Sequence, residues 1–246
     1  MIRVILAVTF VVLFLIVSIL LIGLEYIAGL FSRKVRDESS LAIVSWAFRV
    51  VEWIAGTKTE VRGAENIPKD EAVLFVSNHR SIFDTVLIYG RMKRPTGFVA
   101  KTEIKKVPVL SWWMVLLHCK FLDRKDMRQG LQIILSCIED VKNGISVMIF
   151  PEGTRGKGED ETEVAPFKEG SMKVAVKGGV KIIPIAISGS RAVLEDQFPR
   201  LRPAKVIIEY GKPIDPKDYS REDQKRMGEI SREVIIEMLK KIGEGA

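Results

Sequence analysis

Apolar positions are spread unevenly along this chain. From Val4 to Leu24 no residue is charged and nearly all are apolar. As a helix that run is about 31 Å long, enough to cross the hydrocarbon core of a bilayer. A cleaved leader would have a shorter apolar core and a small-residue processing site. This run ends in Leu24-Glu25-Tyr26, which suits processing poorly. A second segment, Leu41–Ala55, is apolar but carries Arg49 and Glu52, three apart and able to pair on one helix face. Trp46 and Trp53, seven apart, fall on one side of that helix, and indole rings favour the headgroup zone. The segment predicts an amphipathic helix, lying in the membrane interface or packed on the rest of the chain. Two geometries fit the front of the chain: a spanning helix followed by an interfacial one, or a helical hairpin dipped into one leaflet.

After Gly56 the pattern changes. Short apolar runs bounded by polar residues predict buried strands at Ala72–Ser77, Gly97–Ala100, Ser146–Phe150, Lys181–Ser188 and Val206–Tyr210. Longer stretches at Asp84–Arg91, Val107–Leu117, Arg128–Lys142, Ser171–Gly178 and Arg221–Ile242 predict helices, with Asn143-Gly144 and Gly178-Gly179 as stops. Strands alternating with helices give the α/β class, with a largely parallel central sheet flanked by helices behind an N-terminal helical membrane anchor. The expected division is residues 1–57 as anchor and 58–246 as an α/β domain. In such sheets a ligand site lies beyond the carboxyl ends of the strands.

Charge sharpens the picture. The formal net charge is +7. The stretch from Arg91 to Arg128 alone carries ten Lys and Arg against three Asp and Glu. A local positive field attracts anionic partners such as phosphates, anionic lipid surfaces or nucleic acid, although a basic run alone is also an ordinary solvated face. Arg33, Lys34 and Arg36 follow the apolar run, with only Arg3 before it, so the positive-inside tendency turns the remainder of the chain toward the cytoplasm. The two cysteines, Cys119 and Cys137, form no close pair and no cluster with metal-ligand spacing, and read as buried free thiols.

Two constellations carry candidate chemistry, each at the end of an expected strand. The first is Asn78-His79-Arg80-Ser81-Ile82-Phe83-Asp84. A carboxylate five positions after an imidazole can fix its tautomer and leave the other ring nitrogen to take a proton from an alcohol. The second is Phe150-Pro151-Glu152-Gly153-Thr154-Arg155, in which glycine permits close backbone approach and arginine offers a fork for phosphate; an ordinary turn closed by an ion pair has the same letters. Lys120-Phe121-Leu122-Asp123-Arg124 lies in the basic stretch, and Arg124 there suits a second phosphate clamp. Ile182-Ile183-Pro184-Ile185 can line a pocket or be a core strand with proline at an edge. The His-x4-Asp spacing occurs a second time, from His118 to Asp123. His79 is the preferred base because it follows a strand, whereas His118 ends an apolar helix and reads as structural.

In this order, Asn-His-x4-Asp, Phe-Leu-Asp-Arg, Phe-Pro-Glu-Gly-Thr-Arg and Ile-Pro-Ile resemble the four motifs of the glycerolipid acyltransferases, and most nearly those of the bacterial 1-acylglycerol-3-phosphate acyltransferase subfamily. The resemblance runs from about Lys58 to Pro213. It implies His79 as general base with Asp84 orienting it. It implies Arg124, Glu152, Gly153, Thr154 and Arg155 around the acceptor phosphate, with Lys105 as a further contact outside the motif core. The implied reaction moves a fatty-acyl chain from acyl carrier protein or acyl-CoA onto the 2-hydroxyl of lysophosphatidic acid, yielding phosphatidic acid. It calls for no metal and no cofactor. The implied partners are that lysolipid, the thioester donor and membrane lipids, with no nucleic acid. Residues Val107–Leu117, with Trp112 and Trp113, suit either an acyl channel or a core helix. Two other readings stay open: the same chemistry on glycerol 3-phosphate or another lysophospholipid, and a non-catalytic, membrane-tethered protein that binds anionic lipid.

Overall fold

A computed structural model describes residues 1–245. The chain begins with α1 (Ile2–Phe31), α2 (Arg33–Ala55), β1 (Lys58–Arg62), β2 (Leu74–Ser77) and α3 (Phe83–Tyr89). It continues through β3 (Thr96–Lys101), α4 (Pro108–Leu116), β4 (Lys120–Leu122), α5 (Met127–Lys142) and β5 (Ser146–Ile149). The last elements are α6 (Glu169–Gly178), β6 (Ile182–Ser188), β7 (Lys205–Tyr210) and α7 (Met227–Glu244). Contacts divide these into two compact units. The first holds Met1–Lys58, Ser81–Phe121 and Gly189–Lys205; the second holds Thr59–Arg80, Leu122–Ser188 and the chain from Val206 on.

In the first unit α1 and α2 form an antiparallel hairpin joined by Ser32. Arg3 Nη1 donates to Ile54 O at 2.8 Å, the Phe10 and Trp46 rings meet at 5.9 Å, and Ser39 Oγ donates to Glu25 at 2.7 Å. α1 is long and apolar enough to cross a membrane by length and composition, with a mean hydropathy of 3.3 over its most apolar window, of which only 17% is buried. A long apolar surface left outside the protein needs a non-aqueous neighbour. α2 starts eight residues before the expected Leu41, because Ser32 accepts from the Val35 amide and begins the helix at once. Arg33, Lys34 and Arg36 therefore ride on its first turns. Glu52 is gripped by both Arg91 terminal nitrogens at 2.8 and 2.7 Å. Its expected partner Arg49 donates to Ser45 O at 3.3 Å. Trp113 is buried in α4 and stacks on Phe14 of α1, while Trp112 on the neighbouring face is exposed. β3 and β4 are neighbours in this unit.

The second unit carries strands in the order β1-β7-β6-β2-β5. β2 runs parallel to both β5 and β6, with Leu74 opposite Val147 on one side and Ile182 on the other, while β6 and β7 are antiparallel. The fold class is therefore α/β with a mostly parallel sheet. β2 is buried at every position, as its unbroken apolar run requires of a strand covered on both faces. Helix α5 packs on β5 and α7 on β6, and α6 packs against both helices. Pro184 departs from expectation: it lies in β6, inside the sheet rather than at an edge. The ladder with β7 is interrupted there, between the Ile182–Ile214 bridge and the Ile185–Tyr210 pair, so the missing donor breaks no regular ladder bond. The last helix starts at Met227 rather than Arg221, because a 3-10 turn precedes it and Glu169 of α6 accepts from the amides of Gly228 and Glu229 at 2.8 and 3.0 Å. A Cβ at Gly228 would sit 2.8 Å from that carboxylate, so glycine permits this approach.

Both cysteines are free and buried. Burial pushes the Cys119 thiol up to about 12, far from the thiolate that alkylating reagents need. The native protein at pH 8 is therefore expected to leave Cys119 unmodified by iodoacetamide. Mass spectrometry should find both thiols alkylated only after denaturation, and rapid native labelling at Cys119 would contradict this packing.

Candidate active site

The second unit builds its site at the carboxyl ends of β2 and β5. Asn78, directly after β2, has a side chain that imitates a peptide group. Its Nδ2 donates to Ile187 O at 2.8 Å and its Oδ1 accepts from Ile187 N–H at 2.9 Å. The β2–β6 ladder is thus prolonged by one side-chain pair, which holds the chain as it enters His79. Neither Asn78 nor Ile187 is open to water.

His79 is fixed through its own backbone. Its N–H donates to Glu152 Oε1 at 2.7 Å, and its carbonyl accepts from the Gly156 amide at 2.8 Å. The imidazole stacks on Phe150, with ring centres 4.1 Å apart and planes inclined by 18°. Arg80, almost wholly buried, extends the clasp by donating to Asp160 O at 2.8 Å and to Gly158 O. The second Glu152 oxygen accepts from the Ala165 amide at 3.1 Å. Glu152 is buried with both oxygens on backbone donors, so its carboxylate shapes the loop.

The glycine after it is needed as glycine. Gly153 has φ of 71°, its N–H closes a turn onto Phe150 O at 3.0 Å, and a Cβ there would meet Lys168 Nζ at 2.8 Å. Thr154 and Arg155 follow on the exposed side of this turn. Lys168, which sequence reasoning passed over, lies against it and adds a cation. Arg124 is exposed between β4 and α5. Its flanks are ordered: the Asp123 amide donates to Gln129, the Lys125 amide donates to Asp123 at 2.9 Å, and Asp126 caps α5 through the Arg128 and Gln129 amides.

Asp84 and Lys105 belong to the first unit. Lys105 is exposed on the 3-10 turn Thr102–Lys106. Asp84 is fully buried in the first turn of α3, where its Oδ2 accepts from the Ser81 amide at 2.8 Å. Ser81 Oγ accepts from the Phe83 amide at 2.9 Å. This is a variant of the capping box, with the serine oxygen on the amide two residues on instead of three, and Ser81-Ile82-Phe83-Asp84 has its sequence signature. That signal, serine followed three residues later by an acid, was available in the letters. The other histidine, His118, has a carboxylate partner in its own unit: Nε2 lies 3.0 Å from Asp37 Oδ2, while Arg36 holds Oδ1 at 2.7 Å. His118 also has a positive φ of 59°. It ties α2 to the end of α4 and has a structural task.

The Acyltransferase family model matches residues 58–188, which include His79, Asp84, Arg124 and the Glu152–Arg155 turn. The chain belongs to the acyltransferase family. Among family members, a chloroplast 1-acyl-sn-glycerol-3-phosphate acyltransferase of Brassica napus is 38% identical over 140 residues, covering 56% of this chain and 39% of that protein. A 1-acyl-sn-glycerol-3-phosphate acyltransferase of Borreliella burgdorferi is 28% identical over 203 residues, covering 82% of this chain and 80% of that one. The chain thus spans well under half of the plant relative but most of the bacterial one. The crystal structure of PlsC from Thermotoga maritima, described as a 1-acyl-sn-glycerophosphate (LPA) acyltransferase, superposes with a TM-score of 0.77 at 28% identity, covering 98% of each chain.

Removing the Asn78 side chain as Asn78→Ala strands a buried amide and a buried carbonyl on Ile187. This is expected to cost on the order of 3 kcal/mol, read as a lowered unfolding midpoint in a denaturant titration. A midpoint equal to wild type would mean that these two bonds do not hold the strand end.

Proposed function

We propose that this acyltransferase esterifies the 2-hydroxyl of 1-acylglycerol 3-phosphate with an acyl chain taken from a carrier-protein or CoA thioester, making phosphatidic acid. The observation that carries the reading is the clasp on His79, whose N–H and carbonyl are both held by the loop that contains Gly153, Thr154 and Arg155. A base locked to a phosphate-binding turn suits an acceptor that bears its reacting hydroxyl close to its phosphate. The names of the family members named above support the same acceptor.

In this reading the acceptor oxygen attacks the thioester carbonyl while His79 takes the hydroxyl proton. Asp84, five positions on in the family pattern, orients the ring. The tetrahedral intermediate collapses, the carbon–sulfur bond breaks, and the leaving thiolate takes the proton back from the imidazolium. No acyl-enzyme forms. Arg124, Arg155, Thr154 and the Gly153 backbone hold the phosphate, with Lys105 as a further cation. Glu152 serves the same site from behind, by shaping the loop. Residues 1–57 act as membrane anchor and 58–246 as the catalytic domain, at the inner membrane and facing the cytoplasm. The lysolipid is a membrane molecule and the thioester arrives from water, so the chemistry belongs at their boundary. α4, with Trp113 against α1, is the candidate for receiving an acyl chain.

The direct test supplies vesicle-bound protein with a labelled long-chain thioester and 1-acylglycerol 3-phosphate. Wild type is expected to form diacylated phosphate, and His79→Ala to lose about 10²–10⁴-fold in kcat. No product from wild type with either donor would overturn the acceptor assignment. Retained activity in His79→Ala would overturn His79 as the base and make His118 the base to test.

Arg124→Ala and Arg155→Ala each remove a charge-assisted contact, and each is expected to raise the KM for the lysolipid about 10- to 100-fold. Glu152→Ala is expected to act mainly on kcat, because it frees the His79 peptide. A rise in lysolipid KM as its sole effect would assign Glu152 to the phosphate itself.

A further inference from the structure

Ser81 and Ile82, between the two motif residues His79 and Asp84, are pinned by a carboxylate that lies outside all four motifs. Glu195 sits on a 3-10 turn, Glu195–Gln197, well beyond β6. Its Oε1 accepts from the Ile82 amide at 2.8 Å and its Oε2 from the Ser81 hydroxyl at 2.5 Å. The carboxylate is presented by a braced turn: Arg191 Nε donates to Asp196 at 2.9 Å, and Gln197 Nε2 donates to Ala192 O at 2.9 Å.

These bonds act on the capping box. The Ser81 hydroxyl has one proton and must offer a lone pair to the Phe83 amide. Glu195 draws the proton the other way and so fixes the rotor. The Ile82 amide is a donor that the first turn of α3 leaves without an intrahelical acceptor, and Glu195 supplies one. With Ser81 and Ile82 held, the Ser81 amide stays aimed at Asp84 Oδ2. Asp84 rides on a helix of only seven residues that cannot enforce this geometry alone.

We infer that Glu195 is a positioning residue for the proposed transfer reaction, setting the Asp84 carboxylate through Ser81 and Ile82. It touches neither reactant. The inference rests on the reading that Asp84 orients the general base.

The test compares wild type, Glu195→Ala and Glu195→Gln in the vesicle assay. Glu195→Ala is expected to lower kcat about 10²-fold, the scale of an ångström-sized misplacement, with both KM values within about twofold of wild type. Glu195→Gln keeps an oxygen for the Ile82 amide and can donate to Ser81 Oγ, so it should recover most of that loss. A second measurement needs no turnover. The chain has two histidines, so the His79 ring signals can be assigned and followed by NMR at one fixed pH. A carboxylate that orients an imidazole fixes its tautomer and ring position. Glu195→Ala should therefore displace the His79 ring signals in the direction that Asp84→Asn does. Unchanged ring signals, or a wild-type kcat in Glu195→Ala, would overturn the inference even with the transfer activity established. Equal losses in Gln and Ala together with a lowered Tm would also overturn it, because they would mark a purely structural contact. Absence of transfer by wild type would count against the acceptor assignment, while the NMR comparison still decides the role of Glu195.

Discussion

The main chain of one residue organises the site. The His79 amide and carbonyl are both taken by the same loop, through Glu152 and Gly156. The loop is folded by what it gives His79 and Arg80 as much as by its own turn. A histidine on a free loop would sample many ring positions, and each would dilute the one from which a proton can be taken. Holding the peptide leaves only the side-chain torsions, and the face of Phe150 then limits the ring. The clasp depends in turn on parallel strands β2 and β5 ending at the same level, which their register provides. Shape, order and chemistry thus descend from the pairing of two buried four-residue strands.

Such pairing is what sequence reads well. Unbroken apolar runs place β2, β5 and β6 to within two residues, since a strand buried on both faces has no alternative composition. β1 and β4 went unread for the opposite reason. β1 is a mostly exposed edge strand of charged and polar residues, and β4 is only three residues long, so neither carries an apolar signature. The early start of α2 was hidden by basic residues that suit a loop and a helix surface equally. The site was legible as a set of letters, and the letters placed His79 beside the Glu152 turn. The backbone contacts of Glu152 were not legible, because which amides a carboxylate meets depends on the path of a distant loop. Glu195 was hidden more deeply: its partners lie more than a hundred residues away in the chain, and no local pattern announces a cap supplied from elsewhere.

The two carboxylates also show how a short loop can be made stiff without a large core. Glu152 and Glu195 each bind main-chain donors that no helix or strand would satisfy. Each such donor, if buried and unpaired, costs as much as a lost hydrogen bond. A carboxylate can take two donors at once, and its charge strengthens both bonds. A neutral side chain in either place would leave one donor short or bind it more weakly. Lone pairs turned inward toward protein donors leave less of either negative charge facing outward, while Arg155 on the Gly153 turn and Arg124, the cations proposed to hold the phosphate, stay exposed.

The hairpin at the front of the chain obeys the opposite logic. Its interior contacts are few but specific: Arg3 on the Ile54 carbonyl, Ser39 on Glu25, Phe10 and Phe14 against Trp46. Its outer face is apolar along the whole of α1 and would be a liability in water. A bilayer removes that liability and makes the same face an anchor. Polar groups inside the hairpin then have only each other as partners, which strengthens the pairs that set its register. The Glu52–Arg91 and Asp37–His118 contacts tie α2 to α3 and α4, so the anchoring helices and those bearing Asp84 and Trp113 form one packed body. Under the proposed anchoring of α1, the position of Asp84 is therefore set in the same packed body that meets the membrane.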